Sequence, residues 1–218
     1  MDDPPGGAGA LAGLRVVAFE SRRADEIERM LSRHGARVLR APALREEALP
    51  ESPEALDLAR RLDAGEVAAL ILLTGVGTRG HAAAVRAVAP DFARLLGRTT
   101  VIARGPKPLA ALRDLGFSGA RPVPSPHTWR QVLEVVDGLR LAPGALVAVQ
   151  EYGAPAPALT DALAERGFAV LRVPVYRWAL PADTEPLREA AVEIIRGAVD
   201  VAVFTSAVQV EHLFRRNL

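Results

Sequence analysis

Thirteen residues near the start of the chain return, in outline, near its end. Residues 30–42 (MLSRHGARVLRAP) lie over residues 162–174 (ALAERGFAVLRVP), so that Leu31, Gly35, Val38, Leu39, Arg40 and Pro42 meet Leu163, Gly167, Val170, Leu171, Arg172 and Pro174. The two prolines stand 132 positions apart. Upstream, Phe19-Glu20 falls on Gln150-Glu151, and downstream Leu73-Thr74-Gly75 falls on Phe204-Thr205-Ser206, both at an offset of 131. Three blocks at nearly one offset indicate a duplication, so whatever the first copy builds, the second must build again. The first copy continues with a helix, a strand at residues 99–103, the turn Arg104-Gly105-Pro106-Lys107 and a further helix. Their counterparts are due near positions 230–250, beyond Leu218. The expectation is therefore a chain lacking its C-terminal portion, with an exposed sheet edge and an uncovered apolar face.

The repeating unit is of strand–helix type. Short runs apolar on both faces, at residues 14–19, 67–73, 99–103, 145–149 and 199–204, read as buried parallel strands. Between them lie amphipathic helix patterns at 24–34, 55–63, 108–115, 158–166 and 185–195. Gly35, Gly116 and Gly167 stand where helices stop. Pro122, Pro124 and Pro126 mark a loop before a helix at 127–136. This order predicts an α/β protein with parallel sheets and right-handed crossovers.

Composition removes several function classes. The 218 residues hold no cysteine, so disulfides, thiolate nucleophiles and thiolate-held metals are out. With 27 basic against 26 acidic residues the formal charge is +1, which argues against a general nucleic-acid binder. The longest apolar run, residues 67–73, is too short for a bilayer. The Pro/Gly-rich, acidic residues 1–9 read as a disordered tail and not a signal peptide, so a cytoplasmic location is expected.

Parallel α/β sheets bind ligands beyond the C-terminal ends of their strands. Those ends carry Glu20-Ser21-Arg22, Thr74-Gly75-Val76-Gly77-Thr78, Arg104-Gly105-Pro106-Lys107, Glu151-Tyr152-Gly153 and Thr205-Ser206-Ala207. Hydroxyls, glycines and cations at helix starts suit anions, through bare amides and guanidinium forks. Gly75-Val76-Gly77-Thr78-Arg79-Gly80 formally fits a dinucleotide fingerprint, but the next strand ends in Ala103-Arg104 with no acid for a ribose. The duplicate position has no matching glycines. A glycine-rich capping turn is the bland alternative. His34, His81, His127 and His212 show no metal-type spacing and read as packing or surface groups. Trp178 reads as packed, and Trp129 as a residue on a helix face.

Taken together, the pattern resembles the uroporphyrinogen-III synthase family from Gly13 onward. The resemblance rests on the Leu-x-x-x-Gly-x-x-Val-x-x-x-Pro block, the Thr74-Gly75-Val76-Gly77 strand end, Ala103-Arg104-Gly105-Pro106-Lys107-Pro108, Val173-Pro174-Val175-Tyr176-Arg177 and Phe204-Thr205-Ser206-Ala207. The order and spacing of all five carry it. It implies two parallel-sheet α/β domains of flavodoxin-like topology joined by a two-stranded linker. Domain 1 would comprise residues 10–38 plus 177–218, incomplete at the C-terminus, and domain 2 residues 39–176. The crossings are expected near residues 37–43 and 170–178, in the duplicated blocks, with hinge-like opening and closing. This chain departs from the family pattern at Thr74-Gly75-Val76, where many members have a Ser-Ala-Asn-type strand end, and at Pro108, where many have threonine.

The resemblance further implies cyclisation of the linear tetrapyrrole hydroxymethylbilane to uroporphyrinogen III, with loss of water, inversion of the last ring and no cofactor or metal. Tyr176 is implied as the residue assisting hydroxyl departure. Ser21, Arg22, Thr74, Gly75, Val76, Gly77, Arg104, Gly105, Lys107, Tyr152, Gly153, Thr205, Ser206 and Ala207 are implied as substrate contacts. Partners are then the tetrapyrrole, with room for hand-off from hydroxymethylbilane synthase, and neither nucleic acid nor membrane. A tetrapyrrole- or anion-sensing domain of a transcriptional regulator and a nucleotide-binding α/β enzyme are the competing readings.

Overall fold

The computed structural model describes residues 9–49, 52–151 and 153–215. Residues 1–8, most of the expected tail, lie outside it. Gly9 is already packed, its α-carbon too close to the His34 carbonyl to carry a side chain. In chain order the elements are β1 (Arg15–Ala18), α1 (Ala24–Arg33), β2 (Arg37–Arg40), β3 (Arg45–Ala48), α2 (Pro53–Asp63), β4 (Val67–Leu72) and α3 (Gly75–Ala84). There follow α4 (Phe92–Leu96), β5 (Thr100–Ala103), α5 (Pro106–Asp114), β6 (Arg121–Pro122), α6 (Trp129–Asp137) and β7 (Leu146–Gln150). The last are α7 (Pro157–Glu165), β8 (Ala169–Val173), β9 (Tyr176–Ala179), α8 (Glu185–Ile195), β10 (Val201–Val203) and α9 (Ala207–Arg215). No helix among the described residues is long and apolar enough to cross a membrane.

The helices begin and end on local chemistry. Ser52 caps α2, accepting the Ala55 amide at 3.1 Å ahead of Pro53, and Thr128 with Gln131 forms a capping box on α6. The duplicated stops after α1 and α7 are Gly35 and Gly167, at φ of +87° and +80°, a region that side chains other than glycine rarely enter.

The chain divides into two compact units. One comprises residues 1–45 and 178–218, the other residues 46–177. The continuous unit holds a five-stranded all-parallel sheet ordered β6-β5-β4-β7-β8. Counted from β7, this is the flavodoxin-like order 2-1-3-4-5. On one face Ala69, Ile71 and Leu73 pack with Val132, Leu133 and Val136 of α6 and with Leu159 and Leu163 of α7. On the other run α2, α3 and α5. β4 is buried almost throughout, which explains its unbroken apolar run.

The discontinuous unit holds a parallel sheet ordered β10-β1-β2 among the described residues, the first three places of the same order. Val16 and Ala18 pack with Leu31 of α1, while Val17 and Phe19 pack with Leu187 and Ala190 of α8. Phe19 and Phe204 stack at 4.5 Å. β10 is an outer strand, with Val201 and Ala202 exposed, and Ile195 and Phe214 are 85% and 77% exposed.

The duplication is legible in this arrangement, but repeat and unit do not coincide. β1-α1-β2 of the first copy shares its sheet with β10 of the second, and β7-α7-β8 of the second shares its sheet with β4 of the first. One feature differs from the sequence reading. The duplicated Val-Leu-Arg strands, expected to be the crossings, are β2 and β8, and each lies in its own unit's sheet. The chain passes from unit to unit a few residues later, in β3 and β9, which form a two-stranded sheet. The physical reason is side-chain character. β2 and β8 are half-apolar edge strands, whereas Arg45-Glu46-Glu47-Ala48 offers a core no apolar face.

Candidate active site

In the continuous unit the topology reverses direction between β4 and β7, and this switch point is where open α/β sheets hold ligands. Thr74 ends β4 and caps α3, its Oγ1 accepting the Gly77 amide at 3.0 Å. Tyr176, only 5% exposed, begins β9 with its hydroxyl 3.3 Å from Thr74 Oγ1. The structure thus joins two sequence-selected residues 102 positions apart.

Gly75, Val76 and Gly77 form the first turn of α3. A Cβ on Gly75 would lie 2.7 Å from the Lys107 carbonyl, and one on Gly77 would overlap the Gln150 side chain. Both glycines are accounted for by packing at a capped helix start, so the dinucleotide fingerprint has no support. Arg104 follows β5 and its amide donates to the Leu72 carbonyl at 3.0 Å. Gly105 caps α5, Pro106 opens it, and Lys107 sits exposed in its first turn. Gly153 pairs with Arg177 in an isolated bridge, beside Tyr176 in sequence. Tyr152 lies outside the described residues.

The discontinuous unit has its own switch point, between β1 and β10. Ser21 and Arg22 follow β1, the Arg22 guanidinium 5.9 Å from the centre of the Trp178 ring. Thr205, Ser206 and Ala207 follow β10 and are exposed, with Ala207 opening α9. The amides expected here as bare anion donors are already occupied. Glu20 accepts from the Arg22 and Arg23 amides at 3.1 and 3.2 Å, from the Thr205 hydroxyl, and from Gln209 Nε2 at 3.1 Å. Gln209 Oε1 accepts from the Thr205 and Ser206 amides at 2.7 and 3.3 Å. Burial raises the Glu20 pKa, but these hydrogen bonds outweigh it and hold the carboxyl below its ordinary value. Here the strand ends are cross-tied from within the protein.

Glu151, the duplicate of Glu20, is buried and accepts from Arg172 Nε at 2.7 Å. Glu20 therefore orders its loop, whereas Glu151 ties the end of β7 to the neighbouring strand β8. Sequence reasoning missed Gln209, which sits inside α9 with no motif to mark it. It also gave no site role to His127 and Trp129. These line a cavity of about 440 Å³ with Arg104, Thr128 and the start of α7. The signal available was their position after β6, another C-terminal strand end. His81, expected to pack, is fully buried on α3 against Phe92, and burial pushes its pKa down to about 4. No group of three acidic or histidine side chains among the described residues could hold a metal ion.

The family model described as uroporphyrinogen-III synthase HemD matches residues 25–216. Uncharacterized protein YjjA of Bacillus subtilis (strain 168) is 31% identical over 209 residues, which are 94% of this chain and 75% of that one. Among solved structures, a mutant uroporphyrinogen III synthase from the extremely thermophilic bacterium Thermus thermophilus superposes with a TM-score of 0.73 at 33% identity, covering 93% of this chain and 77% of that one. The wild-type enzyme in another crystal form gives 0.62 at 32% identity, over 93% and 76%.

Proposed function

This chain belongs to the uroporphyrinogen-III synthase family, and from that premise we propose that it closes hydroxymethylbilane to uroporphyrinogen III, with Tyr176 as the residue that helps the hydroxyl depart. The observation that carries the assignment of Tyr176 is the part-buried Thr74–Tyr176 pair at the β4 strand end. A hydroxyl has one proton and two acceptor positions. Thr74 Oγ1 accepts the Gly77 amide, and in its bond to Tyr176 either hydroxyl can be the donor. With Thr74 as donor, the phenol proton is directed to the substrate's hydroxyl.

In the reaction the substrate's terminal C–O bond breaks and its hydroxyl takes this proton, leaving as water. The cation left on the first ring is delocalised through its nitrogen. The substituted carbon of the last ring attacks it, giving a spiro intermediate. That intermediate reopens by breaking the bond between the spiro carbon and the methylene bridge of the third ring, the last ring's free carbon attacks the bridge cation so formed, and the proton released there restores the phenol. Water is the net product besides the macrocycle.

The protein's further task is to hold a flexible polycarboxylate curled, so that the substituted carbon meets the cation. Arg104, Lys107 and the amides at the starts of α3 and α5 supply positive potential at the strand ends of the continuous unit. The Arg22 guanidinium does so in the other, where Ser21 offers a hydroxyl and Glu20 and Gln209 fix the turns. The experiment is turnover of freshly made hydroxymethylbilane, with isomers separated by chromatography. The type III isomer is expected, and formation of type I alone overturns the reading. Tyr176→Phe, which keeps the buried ring, is expected to lower kcat about 10²-fold with little change in KM.

A further inference from the structure

We propose that the cavity at the starts of α6 and α7 seats one carboxylate-bearing pyrrole ring of the substrate, with Trp129 as its wall, Arg104 as its anion contact and His127 as acceptor for the ring N–H. This rests on the reading of function above and extends it to Trp129 and His127, which have no role there. The cavity opens at the C-terminal end of the sheet, on the face opposite α3. It is lined by Leu73 from the end of β4, Arg104 from the end of β5, His127 and Trp129 beyond β6, and Leu159 of α7. Its volume of about 440 Å³ is that of a small-molecule site, and its chemistry is split as such sites are, apolar walls with a few polar groups.

Three observations fix what it would take. The first is aromatic. Trp129 is half-buried, with the Arg130 guanidinium 4.5 Å from the centre of its ring. A flat, electron-rich ring packs against indole and gains from a neighbouring cation.

The second is polar. His127 Nδ1 lies 2.8 Å from the Val123 carbonyl, and because a carbonyl only accepts, Nδ1 carries the hydrogen. Nε2 is thereby left for the ligand as an acceptor, suited to the pyrrole N–H, while the Arg104 guanidinium takes the carboxylate. The uncapped start of α7 at Ala156 adds positive potential to the same wall.

The third is conformational. His127 holds a φ of 59°, unusual for a residue with a side chain, and its ring covers Gly105 at the start of α5, 3.6 Å from where a Cβ would stand. The surrounding structure keeps this histidine at the mouth of the strand end at a conformational cost, as functional positions are often kept.

The test uses Trp178→Phe, which leaves Trp129 as the sole indole of the chain. A monopyrrole bearing one acetate and one propionate arm is the probe. Saturable quenching of Trp129 fluorescence is expected, at least tenfold weaker in Arg104→Gln and in His127→Gln. Quenching that is absent, unchanged in both variants, or reproduced by acetate or unsubstituted pyrrole overturns the assignment.

In turnover, Trp129→Leu is expected to raise KM about tenfold and to increase the fraction of type I isomer, with kcat within threefold and Trp129→Phe largely restoring both. An unchanged KM and isomer ratio in Trp129→Leu also overturns it. An enzyme that makes type III isomer while the monopyrrole leaves Trp129 untouched defeats the cavity assignment alone. Specific quenching without any type III product defeats the reading of function alone.

Discussion

His81 shows how much one residue's neighbours decide. Its sequence position, one turn past a glycine-rich segment, would suit a ligand-binding histidine. Instead its ring is fully buried against Phe92, and neither ring nitrogen has a hydrogen-bond partner of good geometry among the described residues. Burial holds its pKa near 4 against an ordinary 6.5. Above pH 6.5 the histidine is neutral whether the chain is folded or not. Between 6.5 and 4 the unfolded chain takes up a proton that the folded chain refuses, so stability falls as pH falls. The full loss is about 3 kcal/mol, reached near pH 4, below which the folded form is protonated too. Denaturant unfolding at pH 7, 5.5 and 4.5 is expected to show this decline in the wild type and a flatter one in His81→Leu. Parallel curves would remove His81 as the cause. At this scale Thr74 and the strand-end glycines could be picked from sequence because caps and tight turns restrict residue type. The partner of Thr74, 102 residues away, could be placed only by resemblance, and Gln209 not at all, since a glutamine inside a helix has no local signature.

Elements were legible to the extent that their sequences obey one period. β4 and β7, buried on both faces, and α1 and α8, with clear apolar stripes, lie within a residue or two of where the pattern puts them. β3 escaped because Arg45-Glu46-Glu47-Ala48 shows no apolar alternation, and its pairing with β9 is what makes it a strand. The starts of helices gave a second kind of information. At α3 the glycines fit a nucleotide fingerprint by spacing, yet what they serve is close approach. Gly75 meets backbone of α5, whereas Gly77 meets only the end of the Gln150 side chain. Gly75→Ala is therefore expected to cost about 1–3 kcal/mol as an overpacked contact, and Gly77→Ala less, because a side chain can swing away where a carbonyl cannot. Thermal unfolding of the two variants checks the order, and a Gly77→Ala variant less stable than Gly75→Ala contradicts it.

For the molecule as a whole, the duplication announced an α/β chain built twice and fitted a family of two-domain enzymes. What it could not announce is the exchange of halves, since a repeat records similarity and not sheet membership. That exchange has a consequence for how the protein comes into being. The continuous unit is spelled out by residues 46–177, so every strand of its sheet has left the ribosome before the chain is finished. The other unit must wait. β1 is made before the whole inserted unit, yet its neighbour β10 arrives about 185 residues later, and Arg15 meets Asp200 only then. Contacts so distant along the chain close slowly. Until they do, β1 presents an open edge of the kind that invites pairing with other chains. Pulsed hydrogen exchange during refolding is expected to protect β4 and β7 before β1, and simultaneous protection would argue against this order. The same sequence thus sets a timetable in which the inserted unit is finished before the unit it interrupts.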